Sequence, residues 1–298
     1  ECATPAWGAT LVAEPGAVSV SVTRGAQLPY TANGATAQAC ALEEGCAFQF
    51  KPVWSRFAAS SPTEGSGSGG TSLVIEGSGL NPATRYRCRF DGAAWTETST
   101  LLNAVSVSRV LCTTPQWNAP ESDTTLTLVD EAGVEVTQSG TANRVFSFLS
   151  EWYSTDLHVW TAKARAYMTV TASGLNRLDG YECVFTIEGF EASSLADVLD
   201  DKALVCLTPV WEGRAGVTAL TLARTKSGGN RQTVPFIEDA GAFHASFEFL
   251  PGWDSREVSS PSIGAASGNA TLVFRGYGFD NASADYACLF SRGAENVS

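Results

Sequence analysis

The sequence predicts an all-β fold made of tandem antiparallel sandwiches. Three observations carry that expectation. Short stretches alternate apolar and polar residues at a period of two, turn residues recur at close intervals, and the chain repeats itself about every hundred residues. Composition agrees. The 298 residues include 28 Gly and 8 Trp against a single Met, and the Leu-Glu-Lys-Arg mixture of helical proteins is missing. A hydrophobic content of 44% with 17% charged residues can bury a core, which argues against wholesale disorder.

The elements follow in order along the chain. Cys2-Ala-Thr4-Pro5-Ala-Trp7 comes first, and Val18-Ser19-Val20-Ser21-Val22-Thr23 then alternates as a half-buried strand does. Phe48-x-Phe50 precedes Trp54 by four residues from the second Phe. Thr71–Ile75 is a β-rich run bounded by Gly, and Gly77-Ser78-Gly79-Leu80-Asn81 predicts a turn before the strand Tyr86-x-Cys88-x-Phe90. Cys112-x-Thr114-Pro115-x-Trp117 and the alternating Thr125–Leu128 complete the first round. The second round brings Phe146, Phe148 and Trp152, then Ser173-Gly174-Leu175-Asn176 before Tyr181, Cys183 and Phe185, then Cys206 to Trp211. A third round begins with Phe247, Phe249 and Trp253 and continues through Gly276-Tyr277-Gly278-Phe279 to Tyr286, Cys288 and Phe290.

Trp54, Trp152 and Trp253 lie 98 and 101 residues apart, the size of an immunoglobulin-like sandwich. The Gly-x-Gly turn, the Tyr-x-Cys-x-Phe strand and the later Cys-x-Thr-Pro-x-Trp together resemble the IPT/TIG family, immunoglobulin-like modules found in plexins, in some transcription factors and beside some polysaccharide enzymes. The middle repeat departs from the pattern at Ala172, where the first Gly would stand, and residues 8–47 match less well. The basic DNA-contacting loops of the transcription-factor members are not visible here. The resemblance implies tandem IPT/TIG-like sandwiches and, with the cysteines, a secreted setting. It implies little about function, since such sandwiches host many roles.

Cysteine spacing predicts disulfides. Cys88 and Cys112 are 24 residues apart and Cys183 and Cys206 are 23 apart, so each complete repeat is expected to close its own bridge, worth roughly 3 kcal/mol for a loop of that length. Cys40 and Cys46 are expected to close a small local loop. Zinc is a poor alternative, because the cysteines are too scattered for paired knuckles and only His158 and His244 could assist. Bridges place the protein outside the cytosol, extracellular or on the cell surface.

Cys2 and Cys288 are left over. Cys288 is the first cysteine of a repeat whose second is missing, and Cys2 is the reverse. Residues 247–298 and 1–47 together have the length of one repeat. The expected domains are therefore 1–47 (the C-terminal half of a module), 48–145 and 146–246 (two complete modules) and 247–298 (an N-terminal half). Half a sandwich exposes strand edges and an apolar inner face. Either the chain is a window on a longer tandem array, or the C-terminal half of one copy is completed by the N-terminal half of the next, with Cys288 bridged to Cys2. The second contact is heterologous and generates a filament unless it closes as a ring. Joined end to end, the two cysteines would lie only 12 residues apart.

The formal net charge of -12 makes nucleic acid a poor partner. No apolar run approaches the ~18 residues of a membrane helix, and no charged-then-apolar leader opens the chain, so a signal peptide is expected to have been removed or to lie outside it. Three sequons, Asn269-Ala-Thr271, Asn281-Ala-Ser283 and Asn296-Val-Ser298, predict N-linked glycans, and Ser60-Ser61-Pro62-Thr63 could carry O-linked sugars. Neither His158 nor His244 stands in a catalytic pattern, and both read as structural. Gly65–Gly70 has the letters of a dinucleotide fingerprint but precedes a strand rather than a helix, so it reads as a loop. Asp197, Asp200 and Asp201 lack EF-hand spacing and read as a solvated loop. The repeated Trp residues read as core, whereas Trp95 and Trp160 fall outside the pattern and are candidates for stacking on sugars or at a contact between subunits. The functional expectation is a glycosylated extracellular filament or surface-fibre subunit that polymerises head to tail with copies of itself, without catalysis, metal or cofactor. The alternatives are an adhesion or receptor ectodomain fragment that binds a protein or glycan, and an enzyme-attached polysaccharide-binding module.

Overall fold

The structure, a computed structural model, describes residues 17–19, 47–49, 51–140, 143–226, 229–238, 245–254, 263–280, 286–292 and 295–297. The fold is all-β, and every regular element among these residues is a strand. The chain divides into two compact units, Glu1–Leu149 and Ser150–Ser298.

The first unit contains β1 (Ala17–Ser19), β2 (Ala47–Gln49), β3 (Val53–Phe57), β4 (Glu64–Ser66), β5 (Ser72–Ser78), β6 (Arg85–Asp91), β7 (Thr96–Thr98), β8 (Leu102–Asn103), β9 (Arg109–Thr113), β10 (Ser122–Asp130), β11 (Thr137–Gln138) and β12 (Val145–Leu149). One layer is ordered β4-β12-β10-β6-β7, with β8 also on β6, and the other β11-β3-β5-β9. Between them lies the core. On β6 the alternation puts Tyr86, Cys88 and Phe90 inward, and on β10 it does the same for Thr124, Leu126 and Leu128. Register then sets Phe90 opposite Leu126 and Cys88 opposite Leu128. Phe90, Phe146 and Phe148 meet edge to face with centroids 5.0–5.6 Å apart, and Trp117 stacks on Phe148 at 4.8 Å. Each such ring contributes about 1.5–3 kcal/mol by burial.

The second unit contains β13 (Glu151–Thr155), β14 (Val159–Thr161), β15 (Tyr167–Ser173), β16 (Gly180–Ile187), β17 (Phe190–Val198), β18 (Ala203–Leu207), β19 (Gly216–Thr225), β20 (Arg231–Val234), β21 (Ser246–Leu250), β22 (Gly252–Trp253), β23 (Gly276–Tyr277), β24 (Phe290–Arg292) and β25 (Glu295–Val297). Its sandwich repeats the first, with Phe185 opposite Leu220 and Cys183 opposite Leu222, and with Trp211 stacked on Phe249 at 4.5 Å. One difference is large. The nine residues of β17 pair with both β16 and β18 and join the two layers along one side, where the first unit has only the short β7 and β8 on β6.

Each recurrent motif has a structural cause. The Thr of Cys-x-Thr-Pro is buried, and its Oγ1 accepts a backbone hydrogen bond, from Thr71 N to Thr114 and from Ala166 N to Thr208. The Trp that follows donates from Nε1 to Pro120 O and to Arg214 O, so its polar edge is satisfied in the core. The Tyr of Tyr-x-Cys-x-Phe accepts at Oη from Asn81 N or Asn176 N, pinning the turn before its own strand. That turn passes through Gly79 and Gly174 at φ 67° and 69°, the left-handed region that favours glycine. Gly77 lies against Trp54, and an added Cβ would come within 2.4 Å of Val53 O, whereas the second unit accepts Ala172 opposite Trp152.

Antiparallel pairing is not universal. β4 with β12, β11 with β3, and β14 with β21 run parallel. These are distant strands brought together by layer closure, and local alternation is the same for either direction. The Phe-x-Phe…Trp marker also bridges two cores, since Phe146 and Phe148 belong to the first and Trp152 to the second.

Burial holds the Tyr86 phenol above its ordinary 10.0, with nearby Asp130 adding to the effect, and burial does the same for Tyr181. Above pH 10 the unfolded chain therefore releases these protons before the folded one does, and stability falls until the raised folded values are passed. Urea unfolding between pH 9 and 11 should show this decline. Tyr86→Phe should flatten its share while costing about 1 kcal/mol at neutral pH through the lost bond to Asn81 N.

Candidate functional site

In the third repeat the same local devices recur around an open face. Trp253 pairs with Gly276 as Trp54 pairs with Gly77, and an added Cβ at Gly276 would come within 2.4 Å of Gly252 O. Asp280 N donates to Tyr286 Oη at 2.9 Å, the third instance of the tyrosine bond. Strands β24 and β25 pair Phe290 with Val297 and Ser291 with Asn296, as β6 and β7 pair Phe90 with Glu97 and Asp91 with Thr96. Ala215 N donates to Gly278 O, and Lys163 Nζ to Trp253 O, fixing this segment to the preceding sandwich within the second unit.

Burial differs completely. Phe290 is 58% exposed where Phe90 and Phe185 are 0%. Tyr286 is 54% exposed against 2% and 1% for Tyr86 and Tyr181, and Trp253 48% against 1% for both Trp54 and Trp152. Phe279 stands where Leu80 and Leu175 are buried. Trp253, Phe274, Phe279, Tyr286, Leu289 and Phe290 line an open apolar hollow of about 560 Å³. Two edge-to-face pairs, Trp253 with Phe274 at 5.3 Å and Phe279 with Tyr286 at 5.1 Å, hold part of the face together. Cys288 lies in the hollow, exposed and free. In sequence the face is visible only by superposing the third repeat on the other two, which marks its side chains as core residues.

Cys88–Cys112 and Cys183–Cys206 form disulfides with Cα–Cα distances of 6.1 and 6.2 Å. Cys2, Cys40, Cys46, Asn281 and His244 lie outside the described residues. Exposed Asn269 has φ 65°, a left-handed conformation that Asn tolerates better than most residues. It stands where the first unit has Gly70 at φ 83°, and an added Cβ at Gly70 meets nothing within 4 Å. Asn296 is on β25 opposite Ser291. His158 is exposed, with Nδ1 3.1 Å from Thr155 Oγ1. Gly65 and Ser66 are on β4, and Gly69 and Gly70 turn directly into Thr71 and β5. Asp197 is on β17, and Asp200 Oδ1 accepts from Lys202 N in the turn that also carries Asp201. Among the described residues no three His, Cys, Asp or Glu side chains converge on a metal site. Trp95 and Trp160 are both exposed. Among the described residues no helix is long and apolar enough to cross a membrane.

Asn269 therefore presents its side chain to open solvent in a geometry the complete module also uses. Expressed through a eukaryotic secretory pathway, the protein should lose mass on enzymatic deglycosylation, and Asn269→Gln should remove one glycan's share. An unchanged mass would exclude a glycan there.

No curated protein matches the chain by sequence. Among solved structures, it is similar to the plexin A4 full extracellular region, domains 1 to 10, at 15% identity and a TM-score of 0.28, covering 74% of this chain and 18% of that one. A second plexin A4 extracellular structure, with domains 1 to 8, gives 14% identity and a TM-score of 0.23, covering 60% and 26%. A marsupial T cell receptor gives 9% identity and a TM-score of 0.20, covering 70% and 76%. The chain thus spans about a fifth to a quarter of the length of the plexin chains. The family model for the IPT/TIG domain matches residues 56–148, and the first complete sandwich is an IPT/TIG domain.

Proposed function

We propose that this chain belongs to an extracellular array of immunoglobulin-like modules of receptor or adhesion type. In this reading its third module is completed by another copy, so that chains join head to tail into a glycosylated surface fibre or filament. The exposure of Phe290, Tyr286 and Trp253, whose counterparts fill two closed cores, is the observation that supports it. Apolar faces of this kind mark interaction sites in soluble proteins. Paired cysteines favour an oxidising compartment. The work is binding and mechanical continuity, without catalysis or cofactor. The net charge of -12 disfavours nucleic acid as a partner.

The same reading assigns Cys288 a bond to Cys2 of the neighbouring copy, as Cys88 bonds to Cys112. The two thiols would give up two protons and two electrons to an extracellular disulfide oxidant, which leaves as the reduced dithiol. Non-reducing gels should then show a ladder at multiples of 31.3 kDa that collapses on reduction and is absent from Cys288→Ser. A monomer with a titratable Cys288 thiol would sink the covalent joint.

The exposed Trp95 and Trp160 support a second reading, an adhesion ectodomain that binds a glycan by stacking. A glycan array should then give signals that Trp95→Ala or Trp160→Ala abolishes, and a blank array removes this reading.

A further inference from the structure

Among the described residues one edge of the Phe290 strand is open, and the chain itself carries a strand pair of the kind that fills such an edge in the closed modules. In both closed modules the Tyr-x-Cys-x-Phe strand has two neighbours. β6 lies between β7 and β10, and β16 between β17 and β19. In the third repeat β25 takes the first place, and among the described residues nothing pairs with β24 on its other side. The missing neighbour is the counterpart of β10 and β19.

Those two strands have a second partner in common, the Phe-x-Phe strand. Thr124 faces Phe146, and Thr218 faces Phe247. β1 and β2 repeat this pairing with Val18 opposite Phe48. Val18 is thus the counterpart of Thr124 and Thr218. Counting onward, Val20 matches Leu126 and Leu220, and Val22 matches Leu128 and Leu222, all four of which are buried. Ser19 and Ser21 correspond in the alignment to Thr125 and Thr127, which alternate with those buried residues. The chain therefore carries three Tyr-x-Cys-x-Phe strands, two already occupied by β10 and β19, and one further strand of the β10 type.

Building on the head-to-tail reading, the geometry points to β1 of a second copy as the occupant of the open edge of β24, antiparallel and in the register of the closed modules. Ser19 then stands opposite Ser291, as Thr125 does opposite Asp91 and Ala219 opposite Thr186. In the sequence alignment Val20 and Val22 correspond to Leu126 and Leu128, which stand opposite Phe90 and Cys88 in the first module. Main-chain hydrogen bonds supply attachment, and the valines fix register, because a slip of one residue would turn all of them to solvent.

The test mixes two variants of the full chain and reads their mass by sedimentation velocity. Val20→Asp/Val22→Asp removes the donor, and Phe290→Asp removes the acceptor. At a concentration where the unmodified chain forms a series of oligomers, each variant alone should sediment at 31.3 kDa, and their equimolar mixture should stop at the heterodimer. The rescue on mixing separates a lost interface from a lost fold. Ser19→Asp/Ser21→Asp should retain the oligomer series. If the serine variant blocks assembly and the valine variant does not, the register is overturned while head-to-tail assembly stands. An unmodified chain that is monomeric at all concentrations overturns the assembly reading itself. A monomer whose Cys288 becomes reactive only after Val20→Asp/Val22→Asp would instead show that the chain's own β1 occupies the edge, which overturns the second copy as occupant.

Discussion

The tie between the two layers of each sandwich governs everything else in the molecule. In the first module Cys88 on β6 reaches across the core to Cys112 on β9, and five residues after Cys112 the Trp117 ring lies flat on Phe148. The bridge and the stack belong to the same buried cluster. The disulfide limits how far the layers can separate in the unfolded chain. The stack fills the space that separation would open, at the close packing protein interiors require. The second module places Cys183, Cys206, Trp211 and Phe249 in the same relation. The other motif residues serve this tie. The buried Thr of Cys-x-Thr-Pro fixes the end of one strand by accepting from the next, and the tyrosine bond fixes the start of the other.

Repetition made most of this legible in the sequence. Rare residues recurring in a fixed order identify core positions without any appeal to propensity, so the strand at Tyr86–Phe90, the bridge Cys88–Cys112 and the interior placement of Trp54 and Trp117 could all be read. Long-range closure could not. The parallel contacts of β4 with β12 and β14 with β21 join segments about eighty and ninety residues apart, and nothing in the local alternation of either strand encodes its partner. β17 was equally hidden. Phe190–Val198 alternates as a half-buried strand does, yet its binding of both β16 and β18 depends on a length that β7 and β8 lack. The Phe-x-Phe…Trp marker looks like one unit in sequence because its residues are close together. In space it is the last strand of one core followed by the first strand of the next.

The third repeat separates what local sequence can do alone from what needs the tie. Its turn at Gly278, its tyrosine bond and its β24–β25 pair all form, because each depends on residues within about thirty positions of one another. Its rings stay exposed among the described residues, whereas in the first module Phe90 is covered by Leu126 and Phe146 from later strands. The result is correct local geometry beneath uncovered rings. Edge strands in natural sheets are normally blunted by charge, proline or bulges. Phe290-Ser291-Arg292 offers only the arginine at its end.

In the proposed assembly, completion of that core by a neighbour would have to offset the freedom lost on association, a cost of about 4–15 kcal/mol. Trp253, Phe274, Phe279, Leu289 and Phe290 are already partly buried, so covering what remains gives roughly half of the 1.5–3 kcal/mol of a full burial each, about 4–8 kcal/mol in all, at the low end of that cost. On those terms strand addition alone would give a reversible joint, sensitive to concentration and load. In the proposed assembly, a bond at Cys288 would change the character of the joint from an equilibrium to a covalent link. The location of the cysteine is what gives this weight. Cys288 occupies the position that, in both finished sandwiches, already serves to lock one layer to the other.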